Sequence, residues 1–190
     1  MNTSIKDIYD NVYVTNVDYD EKYNYKIDFL IRELFYLQKN TTIIDIGCGK
    51  GHYIKSLNNN KFNNVTGLEL SSECCEKYLA DVPHINANFI DYAATITDKK
   101  YNLAICMDML EHINYKDIDN VIKNFERIAT FSLVGIANHS DIFNGVELHL
   151  IQEDSTWWQS LLEKYFTHAE LIYFTKGHRF FIFRCKNEEK

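Results

Sequence analysis

Three glycines at alternate positions, Gly47, Gly49 and Gly51, follow Asp45 at the end of the apolar run Ile43-Ile44-Asp45-Ile46. β-Branched residues that end in an acid and then in glycine predict a buried strand running into a tight turn. Glycine is needed in such a turn because a side chain would stop the backbone from closing on a ligand. The turn usually opens a helix, whose free N–H groups then face that ligand. The spacing is G-x-G-x-G rather than the G-x-G-x-x-G of dinucleotide-binding turns, which points away from NAD and toward a smaller adenosine ligand.

Further along, Asp108, Glu111 and His112 stand at i, i+3 and i+4. A helix beginning there projects all three from one face. His139 and His149 lie ahead of the pair Trp157-Trp158. A free imidazole titrates near pH ~6.5, which suits proton removal from a hydroxyl, so either histidine is a candidate general base. A hydrogen-bonded structural role is the alternative for each. His52, His84, His168 and His178 carry no such pattern. Trp157 and Trp158 are expected to split roles, since only one of two adjacent helix positions faces the core.

The elements that must position these groups alternate between strand and helix. Residues 1–22 are polar and tyrosine-rich and are expected to form a loosely structured arm or lid. Ile27, Leu30, Ile31, Leu34 and Leu37 at helical spacing predict a helix over 23–38. Strands are expected at 42–46, 65–70, 84–89, 101–107 and 131–137, and helices at 51–58, 72–80 and 117–129. Ser71 is the expected N-cap of the helix at 72. Asp154 or Ser155 caps a helix through residue 165. Strands at 169–175 and 179–185 meet at the turn Lys176-Gly177-His178. This is an α/β chain: a doubly wound, mostly parallel seven-stranded sheet with helices on both faces and an antiparallel C-terminal strand. One domain over 1–190 is expected, with 1–22 as arm and 23–190 as core.

Composition narrows the function classes. The 190 residues suffice for one cored domain, and 46% hydrophobic with 25% charged is ordinary for a soluble protein. A net charge of −7 without a basic run argues against a nucleic-acid partner. Five cysteines, an odd count with two adjacent and no C-x-x-C, imply reduced thiols in the cytoplasm. No apolar signal core or long apolar span is present, so no membrane partner is expected.

With these features in sequence order, the chain resembles the class I S-adenosylmethionine-dependent methyltransferases, well over residues 41–137 and by element order beyond. The resemblance implies a Rossmann-like fold and roles for particular residues. Asp45, Gly47, Cys48 and Gly49 would wrap the methionine part of the cofactor. Glu69, with Leu70 beside it, would accept both ribose hydroxyls, as a two-oxygen carboxylate can. Asn88 and Phe89 would contact the adenine, and Met107 would lie beside the sulfur. Tyr13 and Tyr19 would close over the site from the arm and keep water off it.

The segment Asp108-Met109-Leu110-Glu111-His112 also resembles the carboxylate-x-x-Glu-His arrangement of some O-methyltransferases, including ubiquinone-pathway catechol enzymes and small-RNA terminal 2′-O-methyltransferases. By that resemblance Asp108, Glu111 and His112, joined by His149, would hold a divalent cation such as Mg²⁺. Such an ion can hold two neighbouring hydroxyls and lower the pKa of one. Asp108 stands where the first residue is more often Glu.

Two acceptor chemistries do not fit. Base-amine methylation uses an N-P-P-Y-like segment where this chain has Asp108-Met109-Leu110-Glu111, and cytosine C5 methylation uses a Pro-Cys nucleophile, whereas the sole proline precedes His84. The expectation is therefore methyl transfer from S-adenosylmethionine, giving S-adenosylhomocysteine, to a small hydroxyl-bearing acceptor of the sugar or sugar-nucleotide class. RNA 2′-O-methylation with a metal is the alternative within enzymes. A catalytically silent cofactor-binding partner subunit is the alternative outside them. Oligomeric state is left open.

Overall fold

A computed structural model describes residues 4–16, 18–19 and 24–187. It contains seven α-helices and nine β-strands among these residues. The chain divides into two compact units, Met1–Tyr92 and Ala93–Lys190.

In the first unit, helices α1 (Ile5–Thr15) and α2 (Asn24–Glu33) precede β1 (Thr42–Ile46), α3 (His52–Asn59), β2 (Asn64–Glu69), α4 (Ser72–Tyr78) and β3 (His84–Asn86), and α5 (Phe89–Ala94) begins there and ends two residues past Tyr92. Strand β2 pairs in parallel with both β1 and β3. Ile43, Ile44 and Ile46 are buried with no alternation, as expected of a parallel strand covered on both faces.

Part of the expected arm is ordered differently from the expectation. Residues 1–3, 17 and 20–22 lie outside the described residues, as does residue 23 of the expected second helix. Over 5–15 the chain is helical rather than loosely structured. Ser4 and Asp7 form a reciprocal capping box that satisfies two otherwise orphaned donors, and Val12 and Tyr13 are buried. Helix α2 ends at Glu33, earlier than the apolar spacing suggests, and Phe35 and Tyr36 are exposed. The third strand stops at Asn86, because the Asn88 side-chain oxygen accepts the Ile90 N–H at 2.9 Å and starts α5.

In the second unit, β4 (Tyr101–Met107) leads through a 3₁₀ turn (Leu110–His112) to α6 (Ile118–Ile128) and β5 (Ala129–Ala137). A short hairpin, β6 (Ile142–Phe143) and β7 (Val146–Glu147), follows, then α7 (Ser155–Leu162), β8 (His168–Phe174) and β9 (Phe180–Lys186). Helix α6 buries Ile118, Val121, Ile122, Phe125 and Ile128, one face at helical spacing. Asp154 caps α7 through the Trp157 N–H at 2.8 Å, with Trp158 fully buried and Trp157 partly exposed, as the adjacent positions require. The hairpin turns on Asn144 and Gly145, both at positive φ, which a two-residue turn of this twist needs.

Strands β4 and β5 are parallel, while β9 is antiparallel to both β5 and β8. The seven-stranded sheet is mostly parallel, with the order β3-β2-β1 in the first unit and β4-β5-β9-β8 in the second, where β9 is the antiparallel strand that the closing residues suggested. All five cysteines are buried free thiols. Among the described residues no helix is long and apolar enough to cross a membrane.

Candidate active site

The first unit carries the glycine turn. Gly47, Gly49 and Gly51 all have positive φ, at 71°, 50° and 73°. A side chain at any of them would be strained, which is why alternate glycines end β1. The turn is tied to the strand beside it. Gly47 and Cys48 N–H both donate to the Leu68 carbonyl, at 2.8 and 3.1 Å. Gly49 N–H donates to Glu69 Oε2 at 2.9 Å, and Ser71 N–H donates to Glu69 Oε1 at 2.8 Å.

Glu69 is therefore held at both oxygens by backbone donors. Burial pushes its pKa up, and the hydrogen bonds from Ser71 and Gly49 oppose that rise. Burial also pushes the Cys48 thiol far up, with the nearby Asp45 and Glu69 adding to it, so Cys48 packs as a neutral group. Asp45 is buried at the end of β1, Leu70 is half-buried, and Phe89 is buried while Asn88 is exposed. Tyr13 is buried on α1, its ring 5.6 Å edge-on from Tyr19 and 6.3 Å from Tyr78.

Sequence reasoning missed how Gly67 serves this turn. A Cβ at Gly67 would lie 2.6 Å from Cys48 Sγ and 2.7 Å from Ile54 Cδ1. The signal was present, since a lone glycine inside a strand marks a close approach of other atoms. Asn86 was missed too. Its amide donates to the Glu69 and Leu70 carbonyls at 2.9 and 3.0 Å and so fixes the end of β2.

The second unit carries the candidate histidines His112, His139 and His149. Met107 is buried at the end of β4, packed so closely on Gly135 that a Cβ there would lie 2.3 Å from its sulfur. The residues after it do not form the expected helix. Asp108 has a positive φ of 56°, and the 3₁₀ turn follows. The i, i+3, i+4 geometry is lost. The ligand atoms that converge, within 4.8 Å of one another, belong instead to Glu111, His112 and His149, all buried; Asp108 is not in this group.

Hydrogen bonds orient each member. Glu111 Oε1 accepts the Ala137 N–H at 2.8 Å. His112 Nδ1 lies 3.0 Å from the Leu148 carbonyl, and His149 Nδ1 lies 2.5 Å from the His139 carbonyl. A carbonyl only accepts, so each neutral imidazole donates from Nδ1. The rings lie 4.6 Å apart. Burial pushes His112 down to about 3, with His149 adding to the effect, and burial lowers His149 too. Both are neutral near pH 7, the form that binds metals or takes up protons.

His139 contributes its carbonyl, and its ring stands 5.0 Å from that of His149. No local pattern marks Glu147, which gathers the base of the hairpin. Its carboxylate accepts from Ser140 Oγ at 2.5 Å, from Asp141 N–H at 2.8 Å and from His149 N–H at 3.0 Å. The Ser140 bond, ahead of the others, holds the Glu147 carboxyl down at about 2.

Residues 19–175, a span that includes the glycine turn and the acid at the end of the next strand, match a family model described as a methyltransferase domain. The chain belongs to that family. The chain is 26% identical over 118 residues to protein 235L of Invertebrate iridescent virus 6, itself named as a methyltransferase. That match covers 58% of this chain and 44% of the viral protein, so the chain spans less than half the length of the curated relative it matches.

Solved structures share the fold of this chain. A magnesium protoporphyrin IX methyltransferase from Synechocystis PCC 6803 with bound S-adenosylhomocysteine superposes with a TM-score of 0.70 at 15% identity, covering 97% of this chain and 98% of that one. An S-adenosylmethionine-dependent methyltransferase from Archaeoglobus fulgidus gives 0.70 at 14% identity, covering 86% and 77%.

Proposed function

We propose that this methyltransferase transfers the methyl group of S-adenosylmethionine to a hydroxyl of a small acceptor, with Glu111, His112 and His149 holding a divalent cation for that acceptor. The observation that carries the acceptor chemistry is the convergence of one ligand atom each from His112, His149 and Glu111, within 4.8 Å of one another, in a buried cluster. Bound at the glycine turn, the cofactor supplies a methyl on a positively charged sulfur, so the protein contributes mainly position. Glu69, held by the Gly49 and Ser71 N–H groups, would take the ribose hydroxyls. Asp45, Cys48, Asn88, Phe89, Met107 and Tyr13 complete the proposed cofactor set.

The donors fit a metal. Both imidazoles are neutral and fixed by a second hydrogen bond, the arrangement that orients histidine ligands. Two nitrogens and one carboxylate suit Mn²⁺, Fe²⁺ or Zn²⁺ better than Mg²⁺. Such an ion would lower the pKa of a bound hydroxyl. A second reading rests on Asp141, whose Oδ2 lies 3.9 Å from His149 Nε2. Without metal, His149 would take the hydroxyl proton and Asp141 would stabilise the imidazolium.

Methyl-tritiated S-adenosylmethionine offered with hydroxyl-bearing small molecules, with and without Mn²⁺, tests the proposal. A methyl ether formed by the wild type and lost in Glu111→Gln supports it. Label recovered on nitrogen or carbon overturns the acceptor chemistry.

A further inference from the structure

Helix α1 is connected to the cofactor-binding turn by two separate routes within the first unit. The first is polar. Asp10 Oδ1 accepts the Ser71 hydroxyl at 2.7 Å and the Glu73 N–H at 3.3 Å. Ser71 is fully buried; its oxygen also caps α4 by accepting the Cys74 N–H at 3.1 Å, and its own N–H goes to Glu69 Oε1. The other Glu69 oxygen holds Gly49. An unbroken chain of hydrogen bonds thus runs Asp10–Ser71–Glu69–Gly49.

The second route is aromatic. Tyr13, one turn beyond Asp10, lies 6.3 Å from the ring of Tyr78, over which the buried Lys50 ammonium of the turn sits at 5.1 Å. Both routes start on α1 and end in the segment Gly49-Lys50. Burial raises the Asp10 pKa, but Lys6, Ser71 and the Glu73 N–H together bring it below its ordinary value, so it is ionised and accepting.

We infer that Asp10 is a positioning residue for the cofactor: by holding Ser71 it fixes Glu69 and the glycine turn, so docking of α1 and cofactor binding strengthen one another. The inference rests on the cofactor reading above. Coupling of this kind is reciprocal, so a ligand that orders the turn must also order the helix.

Amide hydrogen exchange on the full chain tests it without ligand first. In Asp10→Ala the Gly49 and Ser71 amides should exchange at least about tenfold faster, the shift that loss of one hydrogen bond to a charged group carries. Asp10→Asn should restore near-wild-type exchange, because its side-chain oxygen accepts the same two bonds. Unchanged Gly49 and Ser71 exchange in Asp10→Ala, or Asp10→Asn behaving like Asp10→Ala, overturns the inference. In a second arm, S-adenosylhomocysteine should slow exchange over residues 5–15 of the wild type and bind Asp10→Ala about tenfold more weakly. Equal affinity in both also overturns it. Absence of any binding to the wild type counts against the cofactor reading itself, while the ligand-free arm still decides whether Asp10 holds the turn.

Discussion

Glu69 Oε2 accepts the N–H of Gly49, twenty residues earlier in the chain, at 2.9 Å. The acid proposed for the ribose is thus also the clamp that shapes the turn. Because burial raises its pKa, Glu69 protonates at a higher pH than an ordinary carboxyl. A protonated carboxyl becomes a donor and loses acceptor capacity. Affinity for S-adenosylhomocysteine should therefore fall as pH drops, beginning at a higher pH than an ordinary carboxyl would set, and Glu69→Gln should be weak and flat across the same series. For this one group the sign for folding is opposite. A raised carboxyl pKa means that protonation favours the folded state, so its contribution to stability grows as pH falls. Calorimetry and thermal unfolding over the same pH series separate the two.

His112 has the contrary linkage. Its folded pKa is lowered to about 3 by burial, below the unfolded value near 6.5. The unfolded state binds more protons between those values. Stability from neutral His112 is present above pH ~6.5 and is lost as pH falls, at a limiting slope of about 1.4 kcal/mol per unit. The melting temperature should drop between pH 6.5 and 5, and His112→Asn should flatten that drop, since its amide can still donate to the Leu148 carbonyl.

Gly67→Ala places a methyl within 2.6 Å of Cys48 Sγ and 2.7 Å of Ile54 Cδ1. The expected cost is about 1–3 kcal/mol of stability, from overpacking under the turn. Adding Cys48→Ala and Ile54→Val removes the two clashing atoms and should recover part of it in urea unfolding.

Metal preference follows from the donors. Mn²⁺ or Zn²⁺ should raise the melting temperature of the wild type more than Mg²⁺ does, and His149→Gln should abolish the difference. An equal response in wild type and variant would remove the metal from the account.

Much of this was legible where local signals and tertiary packing agree. Strand β4 has the expected bounds, and Ser71 and Asp154 cap the helices assigned to them. The expected strand at 84–89 failed at its end because Asn88 uses its side chain as a helix cap, and six residues of α5 carry too little periodicity to declare themselves. Helix α1 was hidden by its polar composition, although Ser4 and Asp7 spell its cap. The histidine cluster was half legible. Glu111, His112 and His149 converge, but the positive φ of Asp108, which breaks the helical face, has no mark in the residues around it. Glu147 was invisible because its role depends on a hairpin that only three-dimensional pairing reveals.

The measurement that reaches the central claim most directly is calorimetric titration of the wild type and Glu69→Ala with S-adenosylhomocysteine at neutral pH. The account predicts micromolar binding to the wild type, weakened on the order of a hundredfold in Glu69→Ala through loss of charge-assisted bonds to the ribose. Equal binding by both proteins, or none by the wild type, would contradict it.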